Sequence, residues 1–301
     1  MAYSLIGKDF IPPDVHGKVT GKAKYAEDFK VDGMLHARLL TSPVPHARIV
    51  RLDVSKALQM EGVVAVLTAD DVPSIPNLGN PILTNEPAYV GDPILAIAAI
   101  NEGVAEDALQ AINFDFEPLP FVVDPLTSLR PGGPHARTQG NVGNATMQDD
   151  FRSIHWSNDE MASLINGDLP QGESAREWIV GDLEAGFAAA AYTIDESFVT
   201  ASYSHNSMEP RSALAYWENG KCFLYGSSQS QSFPVPALAG YIGIEPENLV
   251  FVAEFCGGGF GSKGGAYPAM SIPAHMSRLT GRPVMMRVSR EQENYIGSAR
   301  H

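Results

Sequence analysis

Leu249-Val250-Phe251-Val252-Ala253-Glu254-Phe255-Cys256-Gly257-Gly258-Gly259-Phe260-Gly261-Ser262-Lys263-Gly264-Gly265 decides the reading of this chain. Apolar, β-branched and aromatic residues from Leu249 to Phe255 predict a strand. It runs directly into a segment with six glycines in nine residues. Glycine lets backbone amides approach a ligand with no Cβ between them, and it admits the φ > 0 angles that turn those amides inward. Such a run makes a nest for phosphate or oxyanion groups. A tight strand-to-helix turn with no ligand would use the same residues.

Two nucleotide motifs compete for this loop. A P-loop needs glycine immediately before the lysine and Ser or Thr after it; here Ser262 precedes Lys263 and Gly264 follows, which excludes it. Gly259, Gly261 and Gly264 do satisfy G-x-G-x-x-G, and Arg287 on the next strand is available to a 2′-phosphate. Against an NADP-binding module through residues 259–264 stand Pro268 and Pro273, where an uninterrupted first turn should face the pyrophosphate. The chain also ends about a dozen residues after the second strand, short of a doubly wound sheet.

Upstream of the loop, helical patterning predicts Asp182 to Ala191 and Ala237 to Ile242, with strands near Thr193 to Val199, Leu214 to Glu218 and Phe223 to Tyr225. Downstream, a helix from about Met270 to Leu279 ends at Gly281, before a strand from Val284 to Val288. The first third predicts strands at Met34–Leu40, Arg48–Leu52, Val63–Leu67, Ile94–Ile100 and Phe114–Phe116. Helices fall at Ser55–Met60 and from an Asn101 cap to Ile112. From about residue 126 to 180 the chain is rich in Gly, Pro, Asn and Ser, which marks a long connection. Trp156 and Trp178 in it are costly to leave in water, so a partner is expected to order part of it. The mixture predicts an α+β fold, divided into a domain at 1–130, a connecting segment at 131–180 and a second domain at 181–301.

Composition narrows the classes of function. Apolar residues at 44% and charged residues at 19% belong to a folded globular chain rather than a disordered one. Acids outnumber bases 35 to 21, for a net charge of −14, which argues against a nucleic-acid surface. The longest apolar run, Ile94 to Ile100, is far below the roughly 20 residues that span a bilayer. The opening MAYSLIGKDF lacks signal-peptide order, and two cysteines, Cys222 and Cys256, make no disulfide framework, so the expected location is cytoplasmic.

Several motifs, in order along the chain, resemble the large subunit of molybdenum hydroxylases of the xanthine dehydrogenase and aldehyde oxidase family. Gly17 to Tyr25, Gly33-Met34-Leu35-His36-Ala37, Ser42 to Ile49, Gly62 to Thr68 and Tyr89-Val90-Gly91-Asp92-Pro93 resemble its N-terminal α/β hammerhead domain. Met208-Glu209-Pro210-Arg211, Gly226-Ser227-Ser228-Gln229 and Gly257 to Lys263 resemble the first part of its molybdopterin-binding domain.

The resemblance implies a molybdenum–molybdopterin cofactor, plain or as its cytosine dinucleotide, and hydroxylation of an N-heterocycle or aldehyde with water as oxygen source. It implies that Gln229 hydrogen-bonds the oxo group of the metal centre, as a neutral donor that does not titrate. Gly258, Gly259, Phe260 and Gly261 match the loop that lies against the cofactor, with Phe260 also walling the substrate pocket. No direct metal ligand is implied, because the family's metal is held by the pterin dithiolene; Cys256 is then packing. His205, Met208 and Glu209 take structural or pocket-lining roles. No catalytic residue is implied within the chain either, since the family's general-base glutamate lies near the far C-terminus of longer subunits. Partners follow: the remainder of the molybdopterin subunit, an iron–sulfur subunit carrying 2Fe-2S clusters and a flavin subunit carrying FAD. Two departures stand out. Purine-oxidising members carry glutamate where this chain has Gly264, and Asp149 to Glu177 is longer than the equivalent connection in many relatives. A non-catalytic binding or assembly subunit is the alternative.

Overall fold

The computed structural model describes residues 4–73, 81–124, 159, 178–196 and 200–300. Eleven strands are formed among them: β1 Leu35–Thr41, β2 Ala47–Asp53, β3 Val63–Leu67, β4 Pro93–Ala99, β5 Asn113–Pro118, β6 Tyr203–Ser204, β7 Ser212–Glu218, β8 Lys221–Gly226, β9 Leu249–Val252, β10 Val284–Arg287 and β11 Ala299–Arg300. Seven make one sheet in the order β3-β4-β1-β10-β7-β8-β9, while β2 pairs with β5 and β6 with β11. With helices packed against it, the fold is α+β.

The central seam joins parts far apart in sequence. β1 runs antiparallel to β4 on one side and parallel to β10 on the other, with Leu35 opposite Val284 and Ala37 opposite Met286. β4 is buried along its whole length because the sheet is covered on both faces there. Ala96 and Ala98 face one core with Leu35, Leu39, Leu224 and Met276, and Leu95, Ile97 and Ala99 face a second core with Ala105 and Ala108. That explains why β4 reads as an unbroken apolar run rather than an alternating one.

Helix ends follow local chemistry. Asn101 caps the helix Glu102–Gln110 by accepting from the Val104 amide at 2.9 Å, and Asp182 caps Leu183–Ala189 through the Ala185 amide. Ile272–Thr280 stops at Gly281, whose φ of 66° is left-handed, and Val235–Ile242 stops the same way at Gly243. A helix that the apolar pattern did not announce, Arg290–Ile296, opens on a capping box between Ser289 and Gln292.

Two expected strands change. β9 ends at Val252 instead of continuing to Phe255, whose ring centroid lies 6.3 Å from that of Tyr25. Residues Thr193 to Glu196 form no strand, and 197–199 lie outside the described residues. The contact pattern divides the chain into Met1–Glu117 with Ser202–Arg300 as one unit, and Pro118–Ala201 with His301 as another. Most of the expected connecting segment, including Trp156, lies outside the described residues; Trp178 is 92% exposed. No helix among the described residues is long and apolar enough to cross a membrane.

Candidate cofactor-facing loop

The glycine segment leaves β9 and becomes a loop rather than a helix start. Gly258 has φ 106°, Phe260 φ 51° and Gly261 φ 98°. A phenylalanine with positive φ costs on the order of 1 kcal/mol or more and persists only where its surroundings enforce it. The first helical hydrogen bonds come later, in a 3₁₀ turn Pro268–Ser271 that leads into Ile272–Thr280. β9 and β10 are also not neighbours, since β8 and β7 lie between them. The βαβ unit that a dinucleotide fingerprint requires is therefore absent, which removes the NADP reading of Gly259, Gly261 and Gly264.

Gln229 follows β8 and meets this loop. Its Oε1 accepts the Gly261 N–H at 3.0 Å, and its own N–H donates to the Lys263 carbonyl at 3.1 Å. Only the amide oxygen can accept an N–H, so the side-chain NH2 group is turned to the other side as a pair of donors. Gly259 leaves the space for this arrangement: a Cβ there would overlap Gln229 Oε1. Gln229 and Phe260 are exposed, the latter 70%. The loop, its left-handed corners and a neutral donor thus share one open surface.

The structure brings the four loop residues Gly258, Gly259, Phe260 and Gly261 together with Gln229. Less visible were the charges behind them. Glu209 is buried, and its Oε2 accepts the Gly257 N–H at 2.7 Å while Oε1 accepts the Ala26 N–H at 3.4 Å. Lys263 is fully buried and donates to the Glu209 carbonyl at 2.5 Å, with the Glu209 carboxylate 3.7 Å away. Burial lowers the Lys263 pKa, and the Glu209 charge opposes that shift. Arg211, 1% exposed, pairs with buried Glu293 at 2.5 Å.

Met208 is 89% exposed and His205 Nδ1 lies 3.1 Å from the Ser298 carbonyl, so neither joins Glu209 in a metal-ligand set. Cys256 is half-buried, donates to the Gly258 carbonyl at 3.5 Å, and has its pKa raised by burial. No group of three or more His, Cys, Asp or Glu among the described residues is placed to hold a metal ion. A cleft of about 820 Å³, lined in part by Arg38, Arg287, Arg290 and Tyr295, lies elsewhere, and neither Gln229 nor the glycine loop lines it.

The surface fits an organic, polyanionic cofactor on chemical grounds. It offers left-handed backbone at Gly258, Phe260 and Gly261 and a neutral donor, and a Cβ at Gly259 would displace that donor.

Comparison with known proteins agrees. Residues 20–120 match the model of the aldehyde oxidase and xanthine dehydrogenase a/b hammerhead domain, and residues 167–301 match the molybdopterin cofactor-binding domain. A probable xanthine dehydrogenase chain of Bacillus subtilis (strain 168) is 31% identical over 97% of this chain and 36% of its own length. The nicotinate dehydrogenase large molybdopterin subunit of Eubacterium barkeri is 29% identical, over 99% of this chain and 65% of its own. The crystal structure of quinoline 2-oxidoreductase from Pseudomonas putida 86 superposes with a TM-score of 0.72 at 26% identity, covering 96% of this chain and 35% of that one. The chain thus spans from about one third to about two thirds of the length of these relatives. It belongs to the xanthine dehydrogenase and aldehyde oxidase family, carrying the hammerhead domain followed by a molybdopterin cofactor-binding domain.

Proposed function

We propose that this chain supplies one wall of the molybdenum–molybdopterin site in a hydroxylase acting on an N-heterocycle or an aldehyde, with water as the oxygen source. The observation that carries it is the Gly261 N–H held by Gln229 Oε1 at 3.0 Å, which leaves the amide NH2 as the donor end of the side chain. Gln229 would then offer the metal end of the cofactor a neutral donor that does not titrate. Gly258, Gly259 and Gly261 bring backbone close to the pterin end, and exposed Phe260 borders the substrate space. When bound, the cofactor supplies the two-electron oxidation chemistry itself.

The proton-accepting glutamate lies, on this reading, near the far C-terminus of the family's large subunits. Xanthine dehydrogenase, nicotinate dehydrogenase and quinoline 2-oxidoreductase among the relatives support a heterocyclic substrate, and the aldehyde oxidoreductase of Megalodesulfovibrio gigas supports an aldehyde. A 2Fe-2S subunit and an FAD subunit accept the electrons: with two cysteines, the chain cannot itself hold a four-cysteine cluster. The cytosine dinucleotide form of the cofactor and the division at 1–130, 131–180 and 181–301 belong to the same proposal; the family match at 20–120 lies within the first part, and that at 167–301 begins inside the connecting segment.

The test is metal and pterin analysis of the native complex that contains this chain. About one molybdenum and one pterin per chain is the expected result. A complex with a full-length partner but neither group would leave only the assembly-subunit reading.

A further inference from the structure

A glycine-rich loop loses more conformational freedom on ordering than any other kind, so each point that fixes it matters. Glu209 holds its entry at Gly257 and Gln229 holds its apex at Gly261. Its exit is Ser262, and there a single buried side chain takes hold. Arg211 donates to the Ser262 carbonyl at 2.7 Å and to the Ser262 hydroxyl. The other arm of the guanidinium donates to Glu293 Oε1 at 2.5 Å, while the Arg211 N–H donates to Glu293 Oε2 at 2.7 Å.

We propose that Arg211 is a positioning residue. By tying Ser262 to Glu293 on the helix Arg290–Ile296, it sets where the loop exit lies and so which way the Gln229 amide points.

The path from guanidinium to amide is one peptide long. Arg211 fixes the Ser262 carbonyl, and the next carbonyl, that of Lys263, accepts the Gln229 N–H at 3.1 Å. The Ser262 N–H also donates to the Gly259 carbonyl at 2.8 Å, which closes the turn whose middle residues are Phe260 and Gly261. A shift of Ser262 therefore moves both ends of the Gln229–Gly261 hydrogen bond.

Arginine suits this role because its planar fork serves two partners in fixed directions; a lysine ammonium would hold one at a time. Burying an ion pair is weak evidence for stability, since apolar residues of similar volume often do as well. What the pair adds is geometry. The surroundings are shaped to it: a Cβ at Gly297 would overlap the guanidinium, and the Tyr267 ring sits 5.1 Å away.

The inference that Arg211 orients a cofactor-facing amide rests on the function proposed above; the claim that it fixes the loop does not. The test uses the native complex with Arg211→Met, Arg211→Lys and Ser262→Ala. Amide hydrogen exchange in the peptide spanning residues 255–265 reads loop order directly. Arg211→Met should raise exchange there about ten-fold or more, with Arg211→Lys between it and wild type and Ser262→Ala nearer to wild type. At equal molybdenum content, Arg211→Met should also lower kcat about ten-fold or more with KM within about two-fold, as a misplaced donor would. Should Arg211→Met fail to fold, Arg211→Lys and Ser262→Ala decide by the same exchange measurement.

Wild-type exchange in the loop of the folded variants would overturn the proposal. A loosened loop in a complex holding neither molybdenum nor pterin would uphold the positioning role and sink the cofactor reading. An unchanged loop in a complex holding both would do the reverse.

Discussion

Gln229 and Gly261, 32 residues apart, are joined by a 3.0 Å hydrogen bond that fixes both the loop apex and the orientation of the amide. Gly259 is what makes room for it, since a methyl group there would overlap the Gln229 oxygen. Gly259→Ala should therefore displace Gln229 while leaving the sheet intact. The expected outcome is a fall in kcat of roughly ten- to a hundred-fold with a far-ultraviolet spectrum like wild type. Full activity in this variant would show that the Gln229 position does not matter.

Behind the loop, Lys263 and Glu209 form a buried pair. Lys263→Met leaves the Glu209 carboxylate buried with only the backbone amides of Gly257 and Ala26. Removing one member of a buried pair costs about 3–5 kcal/mol, whereas Lys263→Met combined with Glu209→Gln should cost clearly less. Urea melts of the two variants check this, and equal costs would contradict a coupled pair.

His275 gives the fold an acid-sensitive point. Burial is the main cause of its lowered pKa, helped by nearby Arg278 and opposed by its hydrogen bond to the Tyr241 carbonyl at 2.9 Å. The unfolded chain then takes up the proton before the folded one does. Stability is complete above the ordinary histidine pKa of about 6.5 and falls as pH drops below it. His36, also lowered by burial with Glu102 opposing, adds in the same direction. Tm should drop between pH 7.5 and 5.5, and His275→Gln should flatten that drop; an unchanged pH slope in the variant would exclude His275 as a source.

The β1–β10 seam makes a further prediction. Fragments 1–124 and 200–301, expressed apart, would each expose one edge of a central parallel pair. Neither should melt cooperatively alone, while the co-expressed pair should be recovered together. Cooperative melting of either fragment by itself would mean that the seam is dispensable.

How legible this was in the sequence depended on range. β3 is found where its apolar run lies, from Val63 to Leu67, and the Asn101 and Gly281 helix ends follow from side-chain and glycine chemistry within four residues. The capping box of Ser289 and Gln292 was an equally local signal for Arg290–Ile296, obscured by the lack of an apolar stripe. Strand order was not readable, because β1 finds β10 across some 250 residues and no local period records that choice. The buried pairs stayed hidden for the same reason: Arg211 and Glu293 lie 82 residues apart, and Lys263 and Glu209 lie 54 apart. Gln229, one polar residue after a strand, carries no local signal at all and was singled out only by resemblance.

The most direct test of the central claim is the Mo(V) electron paramagnetic resonance spectrum of the complex with Gln229→Glu. Glutamate still accepts the Gly261 N–H but has lost the NH2 donors. At equal molybdenum content, the account expects altered g-values, loss of an exchangeable-proton coupling, and a fall in kcat of about a hundred-fold. Superimposable spectra and unchanged kcat would contradict it, because the amide would then not face the metal.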